Sequence, residues 1–329
     1  MSNYLVTGAA GFIGNRVAEL LLSAGHSVTG IDDLNDAYDV RLKQWRLNRL
    51  LSNPEFSFYK ADISQRTVLG EIFGQTPEKN SCFDAVINLA ARAGVRQSVE
   101  NPWVYMDANL TGTLNLLELS RRNDIPKFIL ASTSSVYGSN APLPTPETAD
   151  SDKPLQSYAA SKKAAEVLCY TYHFLYGIDI TVFRYFTVYG PAGRPDMSMF
   201  RFTQWISEGK TVKVNGDGNQ SRGFTYIDDI ARGSILGLRN VGYEIINLGG
   251  HETITINQLI QKLENALGLI ARIEHLPPHP ADMQANWANV AKARELLGWV
   301  PETTLEVGIQ NLVSWYRAER EWACGILTA

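Results

Sequence analysis

Short runs of β-branched and aromatic residues alternate with longer amphipathic stretches through the first half of the chain. The runs predict strands at residues 4–7, 27–31, 56–60, 85–89, 127–131 and 179–185. Apolar residues recur at helical spacing between them, for example over 13–24 and 102–122. A helix from Ser157 is expected to end at Gly177, which can adopt a left-handed backbone conformation. This alternation predicts an α/β fold with a doubly wound parallel sheet covered by helices on both faces.

The pattern changes after Tyr189, where several Gly and Pro residues interrupt the regular alternation of strands and helices. The segment 227–248 is expected to return to the sheet. We therefore predict two domains. Residues 1–187 and 227–250 would form the sheet domain, and residues 188–226 and 251–329 a smaller, mixed α/β domain that binds substrate.

Basic side chains are concentrated in residues 39–51, where Arg41, Lys43, Arg46 and Arg49 surround apolar positions. This spacing is typical of an amphipathic helix with a solvated charged face. We interpret the segment in that way.

Composition excludes several classes of function. The chain has 329 residues, with 30 Lys and Arg against 34 Asp and Glu, so it lacks the basic footprint that nucleic-acid binding requires. Three scattered cysteines and five scattered histidines form no disulfide framework and no metal-ligand pair. We therefore expect a reducing, cytoplasmic setting and no catalytic metal. The sequence has no apolar run of membrane-spanning length, so we expect no membrane association.

A glycine pattern follows the first predicted strand. Gly8-Ala-Ala-Gly11-Phe-Ile-Gly14 leads into an apolar helix. Only glycine lets the backbone turn this tightly and approach a pyrophosphate, and the helix that follows directs N–H groups at the phosphate charge. A plain strand–turn–helix could produce the same pattern. Its place at the first strand, with an acid after the second, favours a Rossmann-type dinucleotide site.

That acid is Asp32, at the end of the second predicted strand. A carboxylate there accepts hydrogen bonds from the adenosine ribose and repels a 2′-phosphate, which favours NAD over NADP. Two alternatives remain open. Asp32 and Asp33 could merely begin a loop, and Arg41 and Lys43 could receive a 2′-phosphate.

Tyr158 and Lys162 lie four residues apart, on one face of a predicted helix. A free phenol has a pKa near ~10, too high for a general base at neutral pH. We expect the lysine ammonium and a positive nicotinamide ring to stabilise the phenolate by Coulomb attraction. The pair would then exchange protons with a substrate. Both residues could instead be ordinary surface positions, but the helix begins between the fifth and sixth strands, where a ligand site is expected.

Four hydroxyl residues, Ser132 to Ser135, end the fifth predicted strand. Ligands bind open parallel sheets at that edge, so these hydroxyls are candidates to bind a sugar hydroxyl or carboxylate. The alternative is a polar turn that caps itself through side-chain to backbone bonds.

Together these stretches resemble the extended short-chain dehydrogenase/reductases, which include nucleotide-sugar epimerases and dehydratases. The resemblance rests on the glycine pattern, Asn88-Leu-Ala-Ala91, the hydroxyl run, Tyr158-x-x-x-Lys162 and Phe183-Arg-Tyr-Phe-Thr187-Val-Tyr-Gly190-Pro191. It extends to about Trp299. Within the family, residues 31–43, 93–98 and 193–197 are similar to stretches of UDP-glucuronate 4-epimerases.

The resemblance implies tightly bound NAD, a UDP-sugar substrate and 4-epimerisation of UDP-glucuronate to UDP-galacturonate through a transient 4-keto intermediate. Tyr158 would take the proton of the sugar 4-hydroxyl, Thr133 would hold that oxygen, and Lys162 would tune Tyr158 and bind the nicotinamide ribose. The expected cofactor contacts are Gly8, Gly11, Phe12, Ile13, Gly14, Asp32, Asp62, Ile63, Leu89, Ala90, Ala91, Tyr158 and Lys162.

The resemblance also implies substrate contacts and an assembly. Ser134, Ser135 and Thr187 are expected at the sugar carboxylate and Arg222 at the diphosphate, with Asp282 at the uridine ribose. Arg96 and Arg194 are further candidates, and Gly223 and His279 depart from the usual family residues. The helices from Pro102 and Ser157 would pair across a homodimer axis.

Two related reactions are disfavoured by position 135. UDP-glucuronate decarboxylases typically carry Glu immediately before Val-Tyr-Gly, and 4,6-dehydratases an Asp-Glu pair after the Thr, whereas this chain has Ser134-Ser135. A decarboxylase, a UDP-glucose 4-epimerase and a non-catalytic NAD-binding protein remain the alternatives, since a fold alone does not prove chemistry.

Overall fold

The described part of the chain holds thirteen strands, thirteen α-helices, one π-helical segment and one short 3₁₀ helix. The computed structural model describes residues 1–74, 83–250, 252–278 and 283–328. The strands are β1 (Asn3–Thr7), β2 (Ser27–Asp32), β3 (Phe56–Lys60), β4 (Ala85–Asn88), β5 (Lys127–Thr133), β6 (Asp179–Tyr185), β7 (Thr187–Tyr189), β8 (Thr211–Asn215), β9 (Ser221–Tyr226), β10 (Tyr243–Leu248), β11 (Thr253–Thr255), β12 (Arg272–Leu276) and β13 (Ala285–Asn286).

The helices range from short turns to the 20-residue α7. They are α1 (Phe12–Ser23), α2 (Val40–Leu51), α3 (Arg66–Gly74), α4 (Gln97–Glu100), α5 (Trp103–Tyr105), α6 (Gly112–Arg122), α7 (Ser157–Tyr176), α8 (Ser198–Ser207), α9 (Ile227–Leu236), α10 (Ile256–Leu267), α11 (Ala291–Leu297), α12 (Leu305–Ala318) and α13 (Arg320–Ala323). Across these described ranges, no helix combines the length and apolarity that a membrane crossing requires.

Seven parallel strands form the central sheet, in the order β10-β6-β5-β4-β1-β2-β3. The predicted doubly wound sheet is confirmed, and each predicted strand lies within two residues of its observed bounds. Strand β10 pairs with β6, so the chain does return to the sheet. The order reverses between β1 and β4, which opens a crevice at the carboxyl ends of the strands.

Apolar side chains cover both faces of this sheet. On one face, Val17 of α1 and Ile230 of α9 join a buried cluster with Val6 of β1. On the other, Leu116 of α6 and Ala165 of α7 belong to a second buried cluster. Because both faces are covered, the strands are buried and almost continuously apolar, as parallel strands usually are.

The rest of the chain forms smaller sheets. Strand β9 pairs with β7, β11 and β13, and β12 pairs with β8. Helices α10 and α12 pack over them around a third apolar cluster. The segment 188–226 is more regular than its Gly and Pro content predicted, since it holds α8 and two strands. We propose the two-domain division given above, which the separate small sheets and the third cluster support. Helix α11 packs on the sheet domain instead, since Ala293 and Leu297 belong to the first cluster.

The predicted helix over 102–122 is interrupted. Helices α5 and α6 are joined by a π-helical segment, Met106–Thr111. Within it, the Asn109 side chain bonds both the N–H and the carbonyl of Arg92, at 2.9 and 3.0 Å, and donates to Ser161 of α7 at 2.9 Å. Such wide turns occur where a side chain makes specific contacts, often at functional sites.

Helix α2 is not the solvated helix that its basic residues predicted. Its Lys43 and Arg46 side chains are buried, and only Arg41 and Arg49 remain largely exposed. The predicted helix is present, but two of its four cations face the protein interior. They are buried there because side-chain and backbone oxygens accept their hydrogen bonds.

A buried ion pair links the middle of α7 to the sheet. The Glu166 carboxylate receives two hydrogen bonds from the Arg184 guanidinium, at 2.9 and 2.7 Å, and one from the Ser132 hydroxyl. Both charged side chains are 2% exposed. The pair therefore fixes α7 against β5 and β6 directly below the predicted site.

We expect Glu166→Gln to lower the free energy of unfolding by about 3–5 kcal/mol, because it leaves the Arg184 cation buried without a counter-charge. Lys262→Met, which breaks an exposed pair with Glu306, should cost less than about 1 kcal/mol. Urea unfolding of both variants measures the difference. Equal losses in the two variants would contradict this role of the pair.

Candidate active site

A single cavity of about 840 Å³ lies at the carboxyl ends of the central strands. Every predicted site residue within the described ranges lines it, from the glycine pattern to Arg222. Asp282, predicted at the uridine ribose, lies outside the described residues, as does His279. The fold thus brings the predicted cofactor and sugar residues into one continuous space.

The glycine turn is pressed against the segment after β4. Gly8 has a φ of +69°, and a Cβ atom there would lie 2.8 Å from the Ala90 nitrogen. A Cβ on Gly14 would lie 2.1 Å from the Gly8 carbonyl oxygen. Helix α1 begins directly after this turn with no side-chain cap among the described residues. Its first N–H groups are therefore available to an anionic ligand, as in a dinucleotide site.

Asp32 lies at the end of β2 and is held by the backbone around it. Its carboxylate accepts hydrogen bonds from the N–H groups of Ala10, at 3.1 Å, and Leu34, at 2.9 Å. Burial raises the pKa of this carboxyl, and the Lys43 ammonium, 3.9 Å away, acts in the opposite direction. Asp32 is therefore the last residue of β2 and faces the cavity, and the loop begins at Asp33.

Lys43, considered above as a partner for a 2′-phosphate, and Arg92, which the sequence did not single out, both bind one amide. The Asn35 side-chain oxygen accepts from the Lys43 ammonium and from the Arg92 guanidinium, each at 3.1 Å. All three residues line the cavity. Arg92 follows β4 and Asn35 follows β2, so their bond passes across the end of β1, where the glycine turn lies. Only the tertiary fold reveals this bridge.

Thr133, Tyr158 and Lys162 meet at the other end of the cavity. The Thr133 side chain, at the end of β5, faces the Tyr158 phenol at the start of α7 across the cavity and lowers the pKa of that phenol. Thr133 also accepts from the Ser135 N–H at 3.2 Å, so the hydroxyl run caps its own turn as well as lining the cavity. The Lys162 ammonium donates to the Ala131 carbonyl at 2.9 Å.

Burial dominates the acid–base properties of this group. It raises the pKa of Tyr158, against the opposing effects of Thr133 and of the Arg194 guanidinium. Burial also lowers the pKa of Lys162 to about 8. The joint effect of Lys162 and a nicotinamide ring on the phenol stays a prediction, and among the protein groups it is Thr133 and Arg194 that lower the pKa of Tyr158. Arg194 is the cation that lowers the pKa of Tyr158, whereas the Lys162 ammonium is directed at the backbone of β5.

The predicted sugar residues line the same end of the cavity. Arg194 makes two bonds to the Asp196 carboxylate, at 3.1 and 2.6 Å, so its charge is partly balanced. The Arg222 guanidinium donates to the backbone carbonyls of Ser221 and Met283. The Ser134 hydroxyl accepts from Asn286 at 3.2 Å. These contacts hold arginines and hydroxyls around a space suited to an anionic, hydroxylated ligand.

Comparison with known proteins agrees with this arrangement. The model of the NAD dependent epimerase/dehydratase family matches residues 4–249. The chain belongs to this family. It is 56% identical to a UDP-glucuronate 4-epimerase from Thermodesulfobacterium geofontis, over 98% of both chains.

Two solved structures of family members are close to this fold. A UDP-glucuronic acid 4-epimerase variant from Bacillus cereus, crystallised with NAD and a fluorinated UDP-sugar, has a TM-score of 0.89, 36% identity, and 96% and 99% coverage of the two chains. A UDP-glucose 4-epimerase from Thermotoga maritima has a TM-score of 0.88, 32% identity, and 97% and 99% coverage.

Two supporting residues of this family member escaped the sequence analysis. Asn109 ties the loop after β4 to α7, and Glu166 lies one helical turn beyond Lys162. Glu166 had a usable signal, since a charged residue occupies the same helix face as Tyr158 and Lys162 at i+4 spacing. Asn109 had none, because its role depends on the π-helical segment.

The depressed pKa of Lys162 predicts a pH-dependent stability. Between pH 8 and about 10.4 the unfolded chain holds a proton on Lys162 that the folded protein has released, so the parent gains stability as pH rises through this window. Relative to Lys162→Met, the gain should approach about 3 kcal/mol. Urea unfolding of both proteins from pH 7 to pH 10 measures it. A difference that stays constant with pH would refute the assignment.

Proposed function

We propose that this protein interconverts UDP-glucuronate and UDP-galacturonate by NAD-dependent 4-epimerisation through a transient 4-keto intermediate. The observation that carries the proposal is the single cavity that joins the glycine turn and Asp32 to Thr133, Tyr158 and Lys162. The full-length similarity to UDP-glucuronate 4-epimerases supports the choice of substrate. The protein is then an isomerase, because the oxidation of the sugar at C4 is followed by reduction at the same carbon.

The residues at the glycine turn fit a dinucleotide. The uncapped start of α1 would receive the pyrophosphate, and the Asp32 carboxylate the adenosine ribose. Lys162 and Tyr158 would lie beside the nicotinamide ribose. When bound, NAD supplies the hydride acceptor, the returning hydride and a positive ring beside the phenol.

Tyr158 is the proposed proton carrier. With its pKa raised by burial, it rests as a phenol and releases its proton only where positive charge is close. As a phenolate it takes the proton of the sugar 4-hydroxyl while the C4 hydride leaves, and it returns that proton when the hydride comes back to the opposite face. Thr133 would hold the reacting oxygen, since its hydroxyl lines the same part of the cavity as the phenol and lowers the pKa of Tyr158.

The 4-keto sugar would be a β-keto acid, which loses carbon dioxide when its carboxylate bond aligns with the carbonyl π system. An epimerase must therefore hold the carboxylate away from that alignment. We assign this task to the hydroxyls of Ser134, Ser135 and Thr187, which line the sugar end of the cavity. The Ser134–Asn286 bond helps to fix one of them.

The decisive experiment incubates purified protein with UDP-glucuronate and resolves the products by NMR. We expect UDP-galacturonate, and a fall in rate of at least about 100-fold in Tyr158→Phe, because proton transfer is lost. Tyr4→Phe, the same change on β1 outside the cavity lining, should retain the parent rate. UDP-xylose or a 4-keto pentose would assign a decarboxylase instead. Unchanged substrate would leave a non-catalytic NAD-binding protein.

We also propose that the protein is a homodimer. Apolar side chains stand exposed on the outer face of α7 and nearby on α5, including Tyr170, Phe174 and Trp103, with 52%, 74% and 75% of their surface accessible. Patches of this kind mark association surfaces. They lie on the elements that the family resemblance places at a dimer axis.

A charge in this patch should prevent association. We expect Phe174→Glu to halve the molar mass measured by light scattering after size exclusion, because a carboxylate would be buried in an apolar interface. Ile270→Glu, at an apolar position 91% exposed before β12, should keep the parent mass. A dimeric Phe174→Glu protein would rule out this face.

We place the protein in the cytoplasm. Cys169 is buried without a disulfide, and Cys324 is also a free thiol. Free thiols are the usual state of cysteines in a reducing compartment. UDP-sugar chemistry of the kind proposed here is compatible with that setting.

A further inference from the structure

Arg46 of α2 is a buried cation whose hydrogen-bond partners in the described part of the chain are all uncharged. Its side chain is 1% exposed, and all its hydrogen bonds within the described ranges go to backbone carbonyls and one phenol. The guanidinium also lies over the rings of Phe12 and Tyr38, at 5.7 and 5.6 Å. Burying a cation without a counter-charge is costly, so these contacts must hold a conformation that the protein needs.

The acceptors of Arg46 belong to three segments that border the cavity. Nη1 donates to the Ala10 carbonyl in the glycine turn, at 3.1 Å, and to the Tyr38 hydroxyl after β2, at 2.8 Å. Nε and Nη2 both donate to the Ala192 carbonyl, at 3.0 and 2.6 Å. One planar side chain thus ties the predicted cofactor turn to the segment 190–194.

The residue that Arg46 holds is in an unfavourable backbone conformation. Ala192 has a φ of +51°, in the left-handed region that costs a residue with a Cβ atom about 1–2 kcal/mol. Its carbonyl receives two of the Arg46 N–H groups. These two bonds, which we call the arginine fork, therefore offset the backbone strain and hold the Ala192 peptide in this orientation.

Arg194 follows two residues later. It lines the sugar end of the cavity, bonds Asp196, and is the cation that acts on the Tyr158 phenol. The direction in which Arg194 leaves the chain depends on the turn that Ala192 makes. Arg46 therefore binds the glycine turn on one side and the segment that carries Arg194 on the other. Through Arg194 it can affect the Tyr158 phenol.

We propose that Arg46 is a positioning residue that fixes the glycine turn and the Arg194 segment relative to each other. The cofactor and the sugar would then keep a constant relative position in the cavity. This inference rests on the proposed function. It predicts that loss of the arginine fork weakens NAD retention and sugar turnover together, although Arg46 itself does not line the cavity.

The test compares Arg46→Lys with Leu47→Ala. Lysine keeps the charge but cannot form the fork, whereas Leu47→Ala leaves a gap in the apolar core from the adjacent position of α2. We expect Arg46→Lys to release bound NAD about tenfold faster and to lower kcat/KM for UDP-glucuronate by about tenfold or more. Leu47→Ala should lower the free energy of unfolding by about 2–5 kcal/mol with both functional values near those of the parent.

A second variant tests the strained turn directly. Glycine adopts a φ of +51° at little cost, so Ala192→Gly in the Arg46→Lys background should recover several-fold of the lost kcat/KM and slow NAD release. No recovery, or equal functional losses in Leu47→Ala, would overturn the proposal. NAD release, followed by chromatography of the freed nucleotide, needs no turnover. It therefore still decides the role of Arg46 if the parent does not epimerise UDP-glucuronate.

Discussion

The restricted access of water to Tyr158 and Lys162, which line the cavity with Lys162 only 2% exposed, is the constraint on which this site depends. Burial disfavours the charged form of each group: it raises the pKa of the phenol and lowers the pKa of the ammonium to about 8. The two groups therefore approach neutrality together, and charge on the phenol is stable only where other positive charge is supplied. Arg194 provides part of it from the sugar side. A reaction that passes a proton back and forth benefits from a carrier that holds it reversibly.

Tyr158 and Lys162 keep their positions because three elements of the sheet domain are held together beneath them. Strand β5 ends at Thr133, α7 begins one residue before Tyr158, and β6 lies beside β5. The Glu166–Arg184 pair joins all three with charge-assisted bonds that water does not reach. Lys162 adds a bond to the backbone of β5. The phenol and its threonine partner are thus carried by elements that cannot shift independently.

Much of this arrangement could be predicted from local pattern. Strand periodicity gave the sheet, and the glycines gave the turn, because Gly8 and Gly14 have no room for a Cβ atom. Interactions between distant segments could not be predicted. The basic residues of α2 have the spacing of a solvated helix, yet Arg46 is buried because carbonyls 36 and 146 residues away accept its hydrogen bonds. The direction of Lys162 likewise depends on the position of β5, which helix periodicity does not reveal.

An epimerase of this kind places unusual demands on the two ends of its cavity. The sugar must turn over between the two hydride transfers, so contacts at its reacting ring cannot all be permanent. The cofactor must meanwhile stay in place, since a reduced dinucleotide that escapes leaves the keto sugar stranded. The walls of the cavity must therefore be held rigid by contacts that lie behind the residues that line it. The contacts of Arg46, the pair below α7 and the Asn109 bonds are all of this type: each is buried, each joins segments distant in sequence, and each supports a wall while the space inside stays open for the sugar to move.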